Sequence, residues 1–413
     1  MSGGDDRVVT GVCGNCGSPV HGTRFCVRCG AEVAADRATV AATQPTVTSA
    51  PTRRTRRWLL PAVAAVIAAL AAVAASAVII SARQAPAANE VIANQNSGAG
   101  SAIEPPAGAT TPSRVKQRVR VGAFPHGVAG SPDGTRVYTA DYGGDQVSVV
   151  NTTTNQMVDA IPVGSPPHSV AVSPDGSRVY VSVDDDSLVV IDAQRNRVVD
   201  RIDAGPTPRG IAVSSDGSLV YVANMGSEQR PKSTVTVIDT ARNRTVGTIA
   251  VAQRPRGLAL SPDDSTLYVT GRDDGALTVV ATGKRRAVAA IPVGRTPISV
   301  AVSPDGRRVY VTLDGDRLAV VDVDRNARDD TVLVGTGPSG VAISPDGSRI
   351  YTANEGEPGG RPGRTVSVVD AASLEVTDTI RVGRYPHGLV VAPDGGRVYV
   401  TDNRVSGNLA VIG

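Results

Sequence analysis

Four residues, Ser131-Pro132-Asp133-Gly134, keep returning along this chain and restrict what it can fold into. They recur as Ser173-Pro174-Asp175-Gly176, Ser303-Pro304-Asp305-Gly306 and Ser344-Pro345-Asp346-Gly347, and in altered form as Ser214-Ser215-Asp216-Gly217, Ser261-Pro262-Asp263-Asp264 and Ala392-Pro393-Asp394-Gly395. Successive copies start 42, 41, 47, 42, 41 and 48 residues apart. A period of this length means one supersecondary unit per repeat, each unable to bury its apolar face without its neighbours. In the second unit, apolar alternation marks strands at residues 169–172, 178–183, 187–192 and 198–204, because successive side chains of a strand point to opposite faces. Ser-Pro-Asp-Gly joins the first strand to the second. Proline at its second position and glycine at its fourth suit a type I turn.

Seven such units, with no helical period outside residues 58–80, predict an all-β fold, a seven-bladed β-propeller over residues 114–413. Its strands are labelled a to d from the channel outward. Residues 115–122 align with fourth strands although no first three precede them, and residues 408–412 align with third strands. The N-terminal strand is therefore expected to complete the last blade as its outer strand, which leaves no open sheet edge. All four cysteines precede residue 30, so the ring has packing and hydrogen bonds to rely on, and no disulfide.

Those cysteines stand as Cys13-Gly14-Asn15-Cys16 and Cys26-Val27-Arg28-Cys29. Two equal pairs, each followed by glycine, suit tetrahedral coordination of zinc by four thiolates. Residues 11–30 are expected to form a zinc ribbon, similar to those at the head of many bacterial membrane proteins. So short a stretch cannot bury a core, and the metal would supply its folding free energy. The ribbon's closed site implies structure or docking, with a possible partner in the cytoplasm. His21, between the pairs, is expected in a loop.

Residues 31–57 read as a cytoplasmic linker ending in Arg53-Arg54-Thr55-Arg56-Arg57, and residues 58–80 carry no charge. As a helix that run would rise about 34 Å, enough to cross a hydrocarbon core of about 30 Å. It is expected to be a single transmembrane helix. Four arginines before it against Arg83 after it put the N-terminus in the cytoplasm and the propeller outside the cell membrane. Residues 81–113, rich in Ala, Pro, Asn, Gln, Ser and Gly, are expected to be a disordered stalk. The net charge of +3 is too small to argue for nucleic acid as a partner.

The second strands read Val179-Tyr180-Val181, Val220-Tyr221-Val222-Ala223-Asn224, Leu267-Tyr268-Val269-Thr270, Val309-Tyr310-Val311-Thr312 and Val398-Tyr399-Val400-Thr401. With the Gly-Val-Ala-Val-Ser-Pro-Asp-Gly-like strands before them, they resemble the YVTN-family β-propeller repeats, over residues 114–413. The resemblance implies the fold. For function it implies a range: surface-layer and cell-envelope proteins, sugar-lactone hydrolases, and propellers beside haem or copper in nitrogen-oxide reductases.

Departures between the units point to a site. The seven tyrosines at positions 138, 180, 221, 268, 310, 351 and 399 share one repeat position and are expected to pack in the core. Outside the cysteine-rich segment every histidine shares another: His126, His168 and His387, in the first, second and last blades, where the others carry Arg209, Arg256, Ile298 and Ser339. This position starts strand a beside the channel, on the face to which the b-to-c loops project. That face is expected to gather a ligand-binding sector of Phe124, His126, Asp141, Tyr142, His168, Tyr385, His387 and Asp402, and a basic sector of Arg209, Arg230, Arg254, Arg256 and Arg272. Aromatics would serve as apolar anchors and arginines would take anionic groups. Imidazoles also suit transition metals, and a histidine here would equally serve to cap strand a by bonding a neighbouring loop. Asp184-Asp185-Asp186 and Asp273-Asp274 lack the spacing of a calcium loop and are expected to be solvated turns.

No serine stands in a nucleophile elbow and no cysteine lies outside the ribbon. The expected function is a membrane-anchored module in the cell envelope that binds or senses an extracytoplasmic protein, glycan or small ligand. The alternative is a metal- or haem-associated redox protein, or a lactonase-like hydrolase, using the three histidines. Structural zinc is the only cofactor this reading commits to.

Overall fold

The computed structural model describes residues 10–12, 19–21, 111–227, 232–357 and 359–413. The four cysteines, the linker, the apolar run 58–80, the stalk up to residue 110, and Arg230 lie outside the described residues. Among the described residues no helix is long and apolar enough to cross a membrane. The chain divides into two units, Met1–Gln95 and Asn96–Gly413. In the first, Thr10–Val12 pairs antiparallel with Pro19–His21, Gly11 opposite Val20, so His21 ends a strand.

The second unit contains seven four-stranded antiparallel sheets. Blade 2 is typical, with strands Pro167–Val172, Arg178–Val183, Ser187–Asp192 and Arg197–Asp203 side by side in chain order. In blade 7, Pro386–Val391, Val398–Asp402 and Asn408–Ile412 are joined by Val115–Arg120 from the other end of the unit, Val119 opposite Leu409. The a strands of successive blades neighbour one another around a closed ring. Sheet-facing Val, Ile and Leu fill the spaces between blades, and each of the seven strand-b tyrosines is at most 3% exposed.

The Ser-Pro-Asp-Gly turns are built from their own side chains. Ser131 Oγ donates to the Asp133 carboxylate, the Gly134 N–H donates to the Ser131 carbonyl, and Gly134 takes φ +69°. Asp175, in the second copy, is held at a pKa of about 2 by the Ser173 hydroxyl and the Ser177 N–H. On this same side arginines that begin strand b reach the c-to-d turn of the next blade. Arg308 Nη1 donates to the Ala371 carbonyl at 2.6 Å, and Arg397 Nη1 to the Thr152 carbonyl at 2.6 Å, which ties blade 7 to blade 1.

Strand a differs from its reading in sequence. It begins at Pro167 in blade 2, two residues before the alternation does, and takes in the histidine. Pro125 pairs with Asp141 and Val128 with Thr139, so His126 and Gly127 together oppose Ala140. This is a β-bulge, one extra residue that re-aims a side chain. Six blades carry it at the same place.

The residue after the bulge approaches the next blade closely. A Cβ on Gly388 would lie 2.4 Å from the His126 carbonyl oxygen, and one on Gly210 would lie 2.4 Å from that of Arg256. Gly388→Ala should therefore destabilise the propeller by about 1–3 kcal/mol, the usual cost of overpacking. Gly130→Ala, whose Cβ meets nothing within 4 Å, should stay within about 0.5 kcal/mol. Urea unfolding midpoints check this pair; equal midpoints would mean that the ring yields without cost.

Candidate ligand-binding site at the channel mouth

One residue per blade is aimed toward the axis, by the bulge in six blades and, in blade 5, by Ile298 just before strand Val300–Val302. His126, His168, Arg209, Arg256, Ile298, Ser339 and His387 all line a single cavity of about 440 Å³, together with Met225, Arg254 and Arg272. Hydroxyls of adjacent blades fix the backbone of these residues. Thr401 Oγ1 donates to the His126 carbonyl at 2.9 Å, Ser182 Oγ to that of Arg209 at 2.6 Å, Thr270 Oγ1 to that of Ile298 at 3.2 Å, and Ser339 Oγ to that of His387 at 2.9 Å.

A second ring lies one repeat position further on, directly after strand b in six blades and within the longer strand Arg349–Gly356 of blade 6: Tyr142, Asp184, Met225, Arg272, Asp314, Glu355 and Asn403. Its backbone is held by one recurring bond to the d-to-a loop, as from Tyr142 N to the Phe124 carbonyl and from Asn403 N to that of Tyr385. The two rings meet in a stack. His126 stacks on Tyr142 and on His387 at 4.8 Å each, with interplanar angles of 15° and 18°. His168 is tilted against both His126 and Tyr142, at 5.5 and 4.9 Å.

Asp184, expected as a solvated turn, instead anchors this stack. Its Oδ1 lies 2.8 Å from His168 Nε2 and 3.0 Å from Arg209 Nη1. Burial raises its pKa, but the hydrogen bond and charge of His168 and Arg209 prevail and hold it at about 2. A carboxylate only accepts, so Nε2 of His168 carries the proton. His387 Nε2 sits 3.4 Å from Arg256 Nη2 and 4.0 Å from Glu355 Oε2. Guanidinium only donates, so this nitrogen presents its lone pair to Arg256. Burial, then the nearby histidines and arginines, pushes the His126 pKa well below the usual 6.5; burial lowers His168 and His387 too.

The other expected residues support the site from outside the cavity. Phe124 and Tyr385 take φ +49° and +55° in the loops before Pro125 and Pro386, the left-handed turn that brings each chain into strand a. Phe124 is half-buried beneath Gly143, in the 3-10 turn that carries Tyr142. Asp141 is completely buried and accepts from Gly122 N at 3.1 Å, Thr139 Oγ1 at 2.7 Å and Ser148 Oγ. Asp402, its counterpart in blade 7, is equally buried, yet neither carboxylate oxygen meets a donor in good geometry. Burial raises its pKa to about 6, offset in part by Arg404 Nη2 at 3.6 Å.

Asp184 and Glu355 join the site through a signal the repeats carry: alignment of the units sets them in one column with Tyr142 and Arg272. Among the described residues no group of His, Cys, Asp and Glu is arranged to hold a metal ion. Stacked imidazoles turn their faces, rather than their nitrogens, toward one another.

Residues 384–411 match the family model of the NHL repeat. No curated protein sequence matches significantly. The structure is similar to a chain of Kuenenia stuttgartiensis hydrazine synthase, with a TM-score of 0.64 and 24% identity, covering 71% of this chain and 97% of that one. At this identity the likeness is one of fold alone.

Two signs of pH dependence follow. With histidine pKa values lowered on folding, the unfolded chain takes up protons that the folded chain does not once pH falls below about 6.5, and stability drops. Asp402 acts in the opposite direction: its raised pKa contributes stability at low pH that is lost as pH rises through about 6. Blades 3 and 6 carry asparagine there, and Asn224 and Asn354 donate to Thr236 and Thr365 hydroxyls at 2.8 and 3.0 Å. Asp402→Asn should raise the urea midpoint at pH 8 and change it less at pH 5; a lowered midpoint at pH 8 would show that the carboxylate is needed.

Proposed function

We propose that this protein is a membrane-anchored, extracytoplasmic binding or sensing module of the cell envelope, acting through the cavity at the mouth of its propeller. One observation carries the reading. The residues at one repeat position, His126, His168, Arg209, Arg256, Ile298, Ser339 and His387, differ from blade to blade and all line one cavity of about 440 Å³, within the range of small-molecule sites. Among the described residues no serine of the lining is hydrogen-bonded to a histidine ring, which favours binding over acyl transfer. The match of residues 384–411 to the NHL repeat is compatible with an interaction module.

Anchoring rests on the uncharged run 58–80 behind four arginines, with the N-terminus inside. The zinc ribbon at Cys13, Cys16, Cys26 and Cys29 would then face the reducing cytoplasm, where thiolates stay available for metal. It would offer a partner there a docking surface.

Native mass spectrometry of the full chain, released from its own membranes, tests this reading. The expected spectrum shows zinc that disappears on Cys13→Ser with Cys26→Ser, and a small organic mass or a partner protein that dissociates on activation. A redox metal or haem lost on joint replacement of His126, His168 and His387 would instead establish the enzymatic alternative. Protease added to intact cells should release the propeller by cutting the chain between residues 81 and 113 and leave the cysteine-rich segment intact; a full-length chain that survives would count against the proposed orientation.

A further inference from the structure

We propose that the cavity takes a small oxyanion, a carboxylate or phosphate group, clasped between Arg256 and Arg272. This deepens the proposed function and rests on the cavity being a ligand site.

Four arginines, Arg209, Arg254, Arg256 and Arg272, line the cavity, and no aspartate or glutamate among the described residues does. The arginines are not equivalent. Arg209 is paired with Asp184 at 3.0 Å, and Arg254 lies at the 4.0 Å limit from Asp273. Arg256 is half-buried as a residue, and its Nη2 lies 3.4 Å from Nε2 of the imidazole of His387. Arg272 has no carboxylate within ion-pair distance among the described residues.

Two cations share this side of the mouth and oppose one another; Arg272 and Arg209 add to burial in lowering the Arg256 pKa, against the attraction of Glu355. An anion between them would reverse that repulsion. Guanidinium presents a planar fork that matches two oxygens of a carboxylate or phosphate, and the match strengthens away from water. His387, which touches Arg256 at 3.4 Å, stacks on His126, and His168 is tilted against His126; these rings form the wall where an apolar or planar ligand body would rest. Asp184 pairs with His168 and Arg209, and Glu355 attracts Arg256 from outside the lining, so among the described residues no carboxylate lines the cavity beside Arg256 and Arg272.

The volume of about 440 Å³ fits a metabolite-sized anion. Specificity would follow from the asymmetry: positive at blades 3 and 4, ring faces at blades 7, 1 and 2. Glucose, neutral and of similar size, would lack the group that the arginines recognise.

Isothermal titration calorimetry of the full chain at pH 7.5 and low ionic strength tests this, with inorganic phosphate, succinate and glucose as probes. Saturable binding of phosphate or succinate is expected, weakened at least about tenfold by Arg256→Gln and by Arg272→Gln. Arg195→Gln, on the opposite face, should leave it unchanged. Preference between the two anions separates a phosphate group from a dicarboxylate. Because Arg272 is exposed, its variant should fold, which thermal unfolding verifies, so loss of binding there cannot be ascribed to misfolding. The proposal is overturned if neither anion saturates, or if both variants bind as the parent does. Glucose binding that ignores the arginine variants would also overturn it, while leaving the cavity as a ligand site for neutral compounds.

Discussion

The a strands crowd the axis of the ring, and the rest of the structure accommodates that crowding. Where strand a bulges, its next residue lies almost against the carbonyl of the neighbouring blade, and only a residue with little or no side chain fits: Gly127, Gly210, Gly257, Gly340 and Gly388, with Ser169 and Ser299 in the remaining blades. The same proximity lets hydroxyls of one blade reach carbonyls of the next, as Thr401 reaches His126. Interblade cohesion and the aim of the cavity residues are thus one feature. A residue that loosened the ring would also turn its neighbour's side chain away from the channel.

On this rigid ring the electrostatics divide. On one side burial and the histidines' mutual repulsion lower their pKa values, Asp184 accepts from His168, and Arg256 donates toward His387. On the other, guanidiniums keep their charge in a partly desolvated mouth, because arginine does not give up its proton. A cavity with one neutral aromatic wall and one cationic wall is a directional receptor. It can tell the two ends of a ligand apart.

The repeats show how a blade tolerates such specialisation. Asp141 and Asp402 occupy the same buried place at the end of strand b, where blades 3 and 6 use Asn224 and Asn354 and blades 2, 4 and 5 use Val183, Gly271 and Leu313. Asp141 is surrounded by donors and Asp402 is not. The difference comes from the strand-c neighbours: Gln146 and Ser148 face Asp141, whereas Asn408 and Ala410 stand at the matching places in blade 7. These aspartates serve the architecture beneath the site and not the site itself.

Much of this could be read in the sequence. The seven turns, the four alternating runs per unit and the common position of His126, His168 and His387 are local or periodic signals, and periodicity survives without knowledge of the fold. The basic sector was legible as well, since repeat register alone brings Arg209 and Arg256 into line. What only the tertiary structure decided is where those side chains go. A bulge is defined by the pairing of two strands and cannot be seen in either, so strand a seemed to begin after the histidine. The partnership of Asp184 with His168 and the stacking of His126 between Tyr142 and His387 depend on distances between blades, set by closure of the ring. The sequence determined which residues share a position; the curvature of the closed ring determined that those positions meet.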